Sequence, residues 1–248
     1  MREQTPQALL TIDVDWAPDF MIRSLANTLA GASVRSTWFV THASEAIDEL
    51  RRRPDMYELG IHPNFLAGSS HGQTPEEVIR HCMDLVPEAV CMRTHSLVQS
   101  TRLLETVVRL SPVRVDLSLF LPGIPAIGPL IQHVASPLLV RVPYSWEDDD
   151  EMARPVPCWD HKAHLRVGGP VIFDFHPVHV FLNSSSMQAY NALKSKTGSL
   201  DDLSERETAG YVNPEAGTGT MFRALVSDLR SQPSMRVSDL FHPAKVIR

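Results

Sequence analysis

The apolar residues of the chain follow two spacings. Short, nearly continuous apolar runs, typical of strands buried on both faces, occur at 9–14, 33–40, 57–62, 90–93, 113–116, 138–141 and 171–176. Elsewhere, apolar residues recur every three or four positions and predict helices at 19–30, 44–53, 74–85, 101–110 and 221–229. Strands that alternate with helices of this length indicate parallel β/α units. Roughly six or seven such units favour a distorted (β/α) barrel over an open sheet.

Turn and capping residues refine this outline. Thr74 is suited to cap a helix, Pro75 to its first position, and Glu77 to complete a capping box. Region 111–160 holds eight of the 19 prolines, so long helices are not expected there. The acidic run at 147–151 is expected to be a solvated loop. The stretch 183–221 is too long for an ordinary connection, and we expect an irregular insertion or lid.

Composition and charge exclude several classes of protein. The formal net charge of -6 and pI of about 6.0 give no basic footprint for nucleic acid. Three widely spaced cysteines without a C-x-x-C pair suggest reduced thiols and a cytoplasmic location. No apolar leader and no 18-residue apolar stretch occur, so we expect neither a signal peptide nor a membrane span. We expect one α/β domain over 1–248, with the oligomeric state left open.

Two carboxylates end the first predicted strand. Asp13 and Asp15 are two positions apart, so both side chains should project to the same face of the strand. Carboxylates at the end of a buried strand cost free energy unless a metal, a cation or a reaction uses them. The alternative is that one of them, or the nearby Asp19, caps the following helix.

Polar residues also stand at the ends of other predicted strands. Together with the two aspartates, the set is Asp13, Asp15, His62, Arg93, His95, His176 and His179. In a β/α barrel the carboxyl ends of the strands form one rim, where active sites lie. A single histidine at a strand end is usually a structural hydrogen-bonding group, but several independent strand ends favour a shared site.

This residue set suits hydrolysis at a metal. One aspartate and two histidines, with water completing the coordination, form a catalytic site that Zn²⁺ accepts, with Co, Ni or Fe as alternatives. A second aspartate on the same strand would take a proton from water, and a histidine across the substrate would protonate the leaving amine. An arginine beside the base would keep it ionised.

The order of these motifs resembles the polysaccharide deacetylases of the NodB-homology, carbohydrate esterase family 4 type, whose fold is a distorted β/α barrel. The run 11–15, T-I-D-V-D, is similar to the family's first motif, which implies Asp13 as base and Asp15 as metal ligand. G-I-H-P-N at 60–64 is similar to the second motif and implies His62 as a ligand. The family's second histidine would fall at 66, which is leucine here, so we expect His71, on an inward-swinging loop, with Asn64 as fallback.

The remaining motifs imply the other roles. Arg93, in M-R-T-H-S, would contact the base, and His176, in F-D-F-H-P, would be the general acid, with Asp174 steering its ring. Y-S-W-E-D at 144–148 only echoes the fourth motif. As substrate contacts we expect His95, Asn64, Trp146 and His179. The indole ring of Trp146 could stack on a sugar ring.

The patterns G-I-H-P-N-F-L, R-T-H-S and H-P-V-H-V-F-L-N resemble a branch associated with lipopolysaccharide O-antigen gene clusters. That resemblance implies a bacterial N-deacetylase acting on a nucleotide- or lipid-linked sugar of a surface-polysaccharide precursor. Two alternatives stay open. One is a catalytically silent barrel that binds a carbohydrate or a partner protein, and the other is a metal hydrolase that acts on a non-sugar amide.

Overall fold

The computed structural model describes residues 8–124, 128–133, 138–165, 170–197 and 203–241. The strands are β1 (Ala8–Asp13), β2 (Ser36–Val40), β3 (Tyr57–Ile61), β4 (Cys91–Met92), β5 (Val115–Phe120), β6 (Leu130–Gln132), β7 (Leu139–Tyr144), β8 (Trp146–Glu147) and β9 (Val171–Phe175). They form one sheet in the order β6-β7-β5-β4-β3-β2-β1-β9-β8. Every neighbouring pair is parallel except β6 with β7.

Helices connect most of these strands. They are α1 (Asp19–Ala32), α2 (Glu45–Arg51), α3 (Pro75–Leu85), α4 (Thr101–Leu110), α5 (Asp148–Ala153), α6 (His161–His164), α7 (Pro177–Leu182), α8 (Met187–Thr197), α9 (Glu205–Thr208), α10 (Thr218–Leu229) and α11 (Val237–Phe241). Short 3-10 turns lie at His95–Leu97 and Ala209–Tyr211. Among the described residues, no helix has the length and apolar character needed to cross a membrane.

The sheet curls around an apolar interior. Leu9 of β1, Val140 of β7 and Ile172 of β9 belong to one buried cluster, although β7 and β9 lie near opposite ends of the sheet order. Phe241 of α11 belongs to the same cluster. Only Ser145 separates β7 from β8, so the chain itself brings the two ends of the sheet together. No backbone ladder joins these ends among the described residues, so the barrel is distorted and open in its hydrogen bonding.

A second, larger apolar cluster lies between the sheet and the helices. In α1 the residues that recur at helical spacing, Met21, Ile22, Leu25 and Leu29, are buried. Burial of each such side chain contributes roughly 1.5–3 kcal/mol. Helical spacing in the sequence therefore becomes the packing of a helix against the outside of the sheet.

The α/β class and the local signals of several elements are confirmed. Helix α3 begins at Pro75 with the expected capping box: the Thr74 hydroxyl accepts from the Glu77 backbone N–H, and the Glu77 carboxylate accepts from the Thr74 N–H. Within the described residues the sheet has nine strands, where about seven were expected. The difference comes from β6, which adds antiparallel at one edge, and β8, which has two residues.

Two expectations about loops are wrong. The acidic run at 147–151 begins helix α5, and Asp148 and Glu151 are fully buried in it. Glu151 accepts from the Trp146 indole N–H at 3.0 Å and from the Cys158 backbone N–H at 2.6 Å, so its carboxylate is satisfied inside the protein. The stretch 183–221 is not irregular throughout, because α8, α9 and the first turn of α10 lie in it. Its residues 198–202 lie outside the described residues.

Candidate active site

A cavity of about 210 Å³ lies at the carboxyl ends of the central strands. Its floor continues the interior face of the strands toward their carboxyl ends. Thus Leu9 belongs to the interior, and Asp13, four positions on along the same strand, lines the cavity. The lining residues are Asp13, Asp15, His62, Thr94, His95, Ser96, Leu97, Tyr144, Glu147, Asp149 and His176.

Asp15, His62 and His95 form a compact group of metal-ligand type. Asp15 Oδ1 lies 3.1 Å from His62 Nε2 and 3.2 Å from His95 Nδ1, and the three donor atoms lie within 4.8 Å of one another. Burial raises the pKa of Asp15, but hydrogen bonds to the two imidazoles outweigh it and hold that pKa well below its usual range. One carboxylate and two imidazoles are a donor set that suits a catalytic divalent ion such as Zn²⁺.

His95, and not His71, stands beside Asp15 and His62. The backbone N–H of Asn64 donates to His71 Nδ1 at 3.2 Å, and His71 Nε2 donates to the carbonyl of Thr41 at 2.8 Å. Both ring nitrogens of His71 are therefore engaged in holding its own loop. Burial lowers the pKa of His71 to about 4, consistent with a neutral ring. The expectations that His71 completes the group and that its loop must swing inward are wrong for this geometry.

Asn64, the fallback metal ligand, also uses its side chain in another contact. The side-chain oxygen of Asn64 accepts from the Leu66 backbone N–H at 3.0 Å and so shapes the loop after β3. Asn64 does not line the cavity, which also removes it from the expected substrate contacts. A spacing rule taken from a family motif could not anticipate this, because the imidazole that joins His62 comes from the turn after a different strand, β4.

Arg93 lies fully buried between two carboxylates. Its Nη1 contacts Asp13 Oδ1 at 2.8 Å and also contacts Asp174, and its Nη2 donates to the Thr11 hydroxyl at 2.9 Å. Burial raises the pKa of Asp174 well above its usual range. The guanidinium also stacks over the ring of Tyr144, with 4.3 Å to the ring centroid. One oxygen of Asp13 is thus held by Arg93, while the other lies 3.7 Å from His62 Nε2.

His176 is oriented by Asp148 rather than by Asp174. Asp148 Oδ1 accepts from His176 Nδ1 at 2.7 Å, and Oδ2 accepts from the His176 backbone N–H at 2.9 Å. The Nε2 atom is left facing Asp15 Oδ2 at 3.7 Å. Burial by itself lowers the pKa of His176. The adjacent charges of Asp148 and Asp149 raise that pKa by more, so it lies well above its usual value. The expectation for Asp174 is wrong because Arg93 and Thr11 occupy its carboxylate.

Trp146 and His179, the last two expected substrate contacts, do not line the cavity. Trp146 is 1% exposed, packs against Phe173 and Phe175, and cannot offer a face to a sugar ring. His179 is buried and does not line the cavity, but it lies 3.0 Å from Asp149, which does. Asp148 and Asp149 were missed because their acidic run indicated a loop. The only sequence signal for them was the echo of the fourth motif in Y-S-W-E-D.

Several solved structures are similar to this chain in fold. The WbmS protein of Bordetella bronchiseptica, assigned as a polysaccharide deacetylase involved in O-antigen biosynthesis, is 31% identical, with a TM-score of 0.75 over 89% of this chain and 90% of that chain. A 4-alpha-glucanotransferase of Thermococcus litoralis is 9% identical, with a TM-score of 0.51 over 94% of this chain and 37% of its own, and shares only the fold.

A family 4 carbohydrate esterase of Streptomyces lividans, solved with acetate, is 13% identical, with a TM-score of 0.46 over 70% of this chain and 80% of that chain. No curated protein sequence matches this chain. The model of a family described as WbmS-like polysaccharide deacetylase matches residues 10–194. That match covers most of the chain, including the lining residues of the cavity. The chain therefore belongs to the WbmS-like family of polysaccharide deacetylases.

Proposed function

We propose that this chain is a metal-dependent carbohydrate N-deacetylase whose divalent ion is held by Asp15, His62 and His95. The donor set of one carboxylate and two imidazoles favours zinc. The observation that carries the proposal is the convergence of three donors from three different strand ends within 4.8 Å. His62 Nδ1 is buried with no hydrogen-bond partner among the described residues, so Nε2 is the atom committed to the group. A bound divalent ion would supply Lewis acidity, which polarises the amide carbonyl and acidifies water.

Asp13 acts as the general base in this proposal. Arg93 holds Asp13 Oδ1 at 2.8 Å, and Oδ2 remains on the side of the donor group, 3.7 Å from His62 Nε2. Asp13 is thus oriented to accept a proton from the attacking water, while Arg93 fixes its direction.

His176 acts as the general acid. Its Nδ1 is tied to Asp148, so its Nε2 is the atom that can give a proton to the leaving amine. The charges of Asp148 and Asp149 keep the ring protonated, as a proton donor requires. The base and the acid therefore approach Asp15 from two strands, β1 and β9, that are neighbours in the sheet.

For the substrate we propose an N-acylated sugar of a bacterial surface-polysaccharide precursor, in nucleotide-linked or lipid-linked form. Support comes from the 31% identical WbmS protein, which is assigned to O-antigen biosynthesis. We do not favour the silent-barrel alternative, because its main motivation, a missing second imidazole, is removed by the position of His95.

The test combines metal removal with a substrate panel. The protein is stripped with a chelator, reloaded with zinc, cobalt, nickel or iron, and incubated with N-acetylated hexosamines in free, nucleotide-linked and lipid-linked form. Acetate release should vanish after chelation and return with metal. Asp13→Asn should lower the rate by about 10²–10⁴ and still bind metal. Acetate release that survives chelation, or a full rate in Asp13→Asn, would contradict the proposal.

A further inference from the structure

In the mechanism above, the cavity carboxylate of Asp149 contributes only negative charge beside His176. Asp149 lines the cavity, and 45% of its side chain is exposed, yet its Oδ1 atom is buried. That buried oxygen lies 3.0 Å from His179 Nε2. The exposed surface therefore belongs to the rest of the side chain, which includes the second oxygen, Oδ2. Asp149 therefore has one buried oxygen in ion-pair contact with His179, outside hydrogen-bond geometry, and one oxygen left for a ligand.

The anchor of Asp149 is rigid. His179 is 3% exposed, and its Nδ1 lies 3.3 Å from the Ser184 hydroxyl. Ser184 is itself fixed, since its N–H donates to the His179 carbonyl at 2.9 Å and its carbonyl accepts from the Thr218 N–H at 2.9 Å. Tyr190 of α8 covers the His179 ring, with 4.8 Å between ring centroids. An imidazole held on both nitrogens and on one face sets the direction of the carboxylate it contacts.

Asp149 lies close to the reacting groups. Side-chain donor atoms of Asp148, Asp149 and His176 lie within 4.8 Å of one another. In the proposed mechanism His176 protonates the leaving amine. A substrate group held by Asp149 would therefore be a near neighbour of that amine on the sugar ring.

A second observation indicates that this cavity takes a polar ligand. Thr94 lines the cavity and is 1% exposed, and its hydroxyl has no hydrogen-bond partner among the described residues. A buried hydroxyl without a partner costs free energy, and a ligand that supplies the missing hydrogen bond recovers it. The cavity thus offers polar groups beyond those that the chemistry requires.

We propose that Asp149, aimed by His179, is a substrate-positioning residue that accepts a hydrogen bond from a hydroxyl group of the sugar ring beside the scissile amide. This inference rests on the proposed function. An ionised carboxylate can only accept, so the partner must be a donor. Burial raises the pKa of Asp149, but the charge of His176 and the contact with His179 lower it to about 2. Asp149 and Glu147 together would repel a sugar that carries a carboxylate or sulfate at that position.

The experiment is a double-mutant cycle in which one change is a substitution in the protein and the other is the removal of a hydroxyl group from the sugar. Binding of the methyl glycosides of N-acetylglucosamine and N-acetylgalactosamine, and of their 3-, 4- and 6-deoxy analogues, is measured calorimetrically with the zinc-loaded protein. One deoxy analogue should bind the parent protein about 10-fold or more weakly, as loss of a hydrogen bond to a charged group predicts. In Asp149→Ala, that analogue and its parent sugar should bind equally. His179→Phe should reduce the same discrimination.

Asp150→Asn is the matched control, because the adjacent Asp150 pairs with Arg154 at 2.7 Å and does not line the cavity. It should retain the full discrimination. If the sugars bind but Asp149→Ala keeps the discrimination, this inference is wrong and the proposed function stands. If the discrimination depends on Asp149 but no substrate is turned over, the hydrogen bond from the sugar to Asp149 is supported and the proposed function is wrong. If no N-acetylated sugar binds, both are wrong.

Discussion

The substitution Asp148→Asn tests whether Asp148 raises the pKa of His176, the proposed general acid. Asp148 is fully buried, and both of its oxygens accept from His176, at 2.7 Å from Nδ1 and 2.9 Å from the backbone N–H. Asparagine keeps the shape and one acceptor oxygen but removes the negative charge. The substitution therefore keeps at most one of the two hydrogen bonds to His176 and weakens the stabilisation of the protonated ring.

The magnitude follows from the kind of hydrogen bond that is lost. A hydrogen bond to a charged group contributes roughly 1.5–3 kcal/mol and a neutral one roughly 0.5–1.5 kcal/mol. The protonated form of His176 should thus lose about 1–1.5 kcal/mol of stabilisation, and its pKa should fall from its raised position. At about tenfold per 1.4 kcal/mol, we expect kcat on the alkaline side of the profile to drop by about five- to tenfold, and kcat at lower pH to stay near the parent value.

The assay is kcat as a function of pH for the zinc-loaded protein. A general acid must be protonated, so the rate falls as pH rises through its pKa, and a lower pKa moves that alkaline limb to lower pH. Asp150→Asn is the comparison variant, because Asp150 pairs with Arg154 at 2.7 Å, does not line the cavity and should leave the limb in place. An unmoved alkaline limb in Asp148→Asn, with metal content intact, would refute the assignment of Asp148 as the partner of His176.

Two further predictions concern metal binding and stability. His95→Ala should weaken zinc binding by at least about tenfold, as loss of a direct ligand does, whereas His71→Ala should leave zinc binding unchanged. The measurement is a competition titration, and equal zinc affinities of the two variants would contradict the proposed site. Arg93→Met should lower the free energy of unfolding in urea by about 3–5 kcal/mol, because it leaves Asp13 and Asp174 buried without their cation. A loss below about 1 kcal/mol would show that the two carboxylates are compensated in another way.

Secondary structure was predictable wherever the signal is local. The Thr74 capping box, the apolar runs of β1 and β9, and the helical spacing of α1 all lie within about fifteen residues of chain. Helix α5 was missed for the opposite reason. Its acidic residues are stabilised by the Trp146 indole, the Cys158 N–H and His176, and a run of like charges carries no sign of such partners.

The strand ends that make up the cavity were also predictable, because parallel strands bring their carboxyl ends to one rim. The choice among neighbouring polar side chains was not. Asp15 meets His95 instead of His71 because two backbone groups, the Asn64 N–H and the Thr41 carbonyl, occupy both nitrogens of the latter.

The sequence by itself determined the α/β class, the order of the main strands and helices, and most of the polar residues at the rim, because each depends on spacing along the chain. Only the tertiary structure decided the other pairings of these side chains: His95 with Asp15, Asp148 with His176, and Arg93 with Asp174 in addition to the expected Asp13. These contacts join residues 28 to 81 positions apart. Their partners depend on the directions of loops, and those directions follow from how the whole sheet curls.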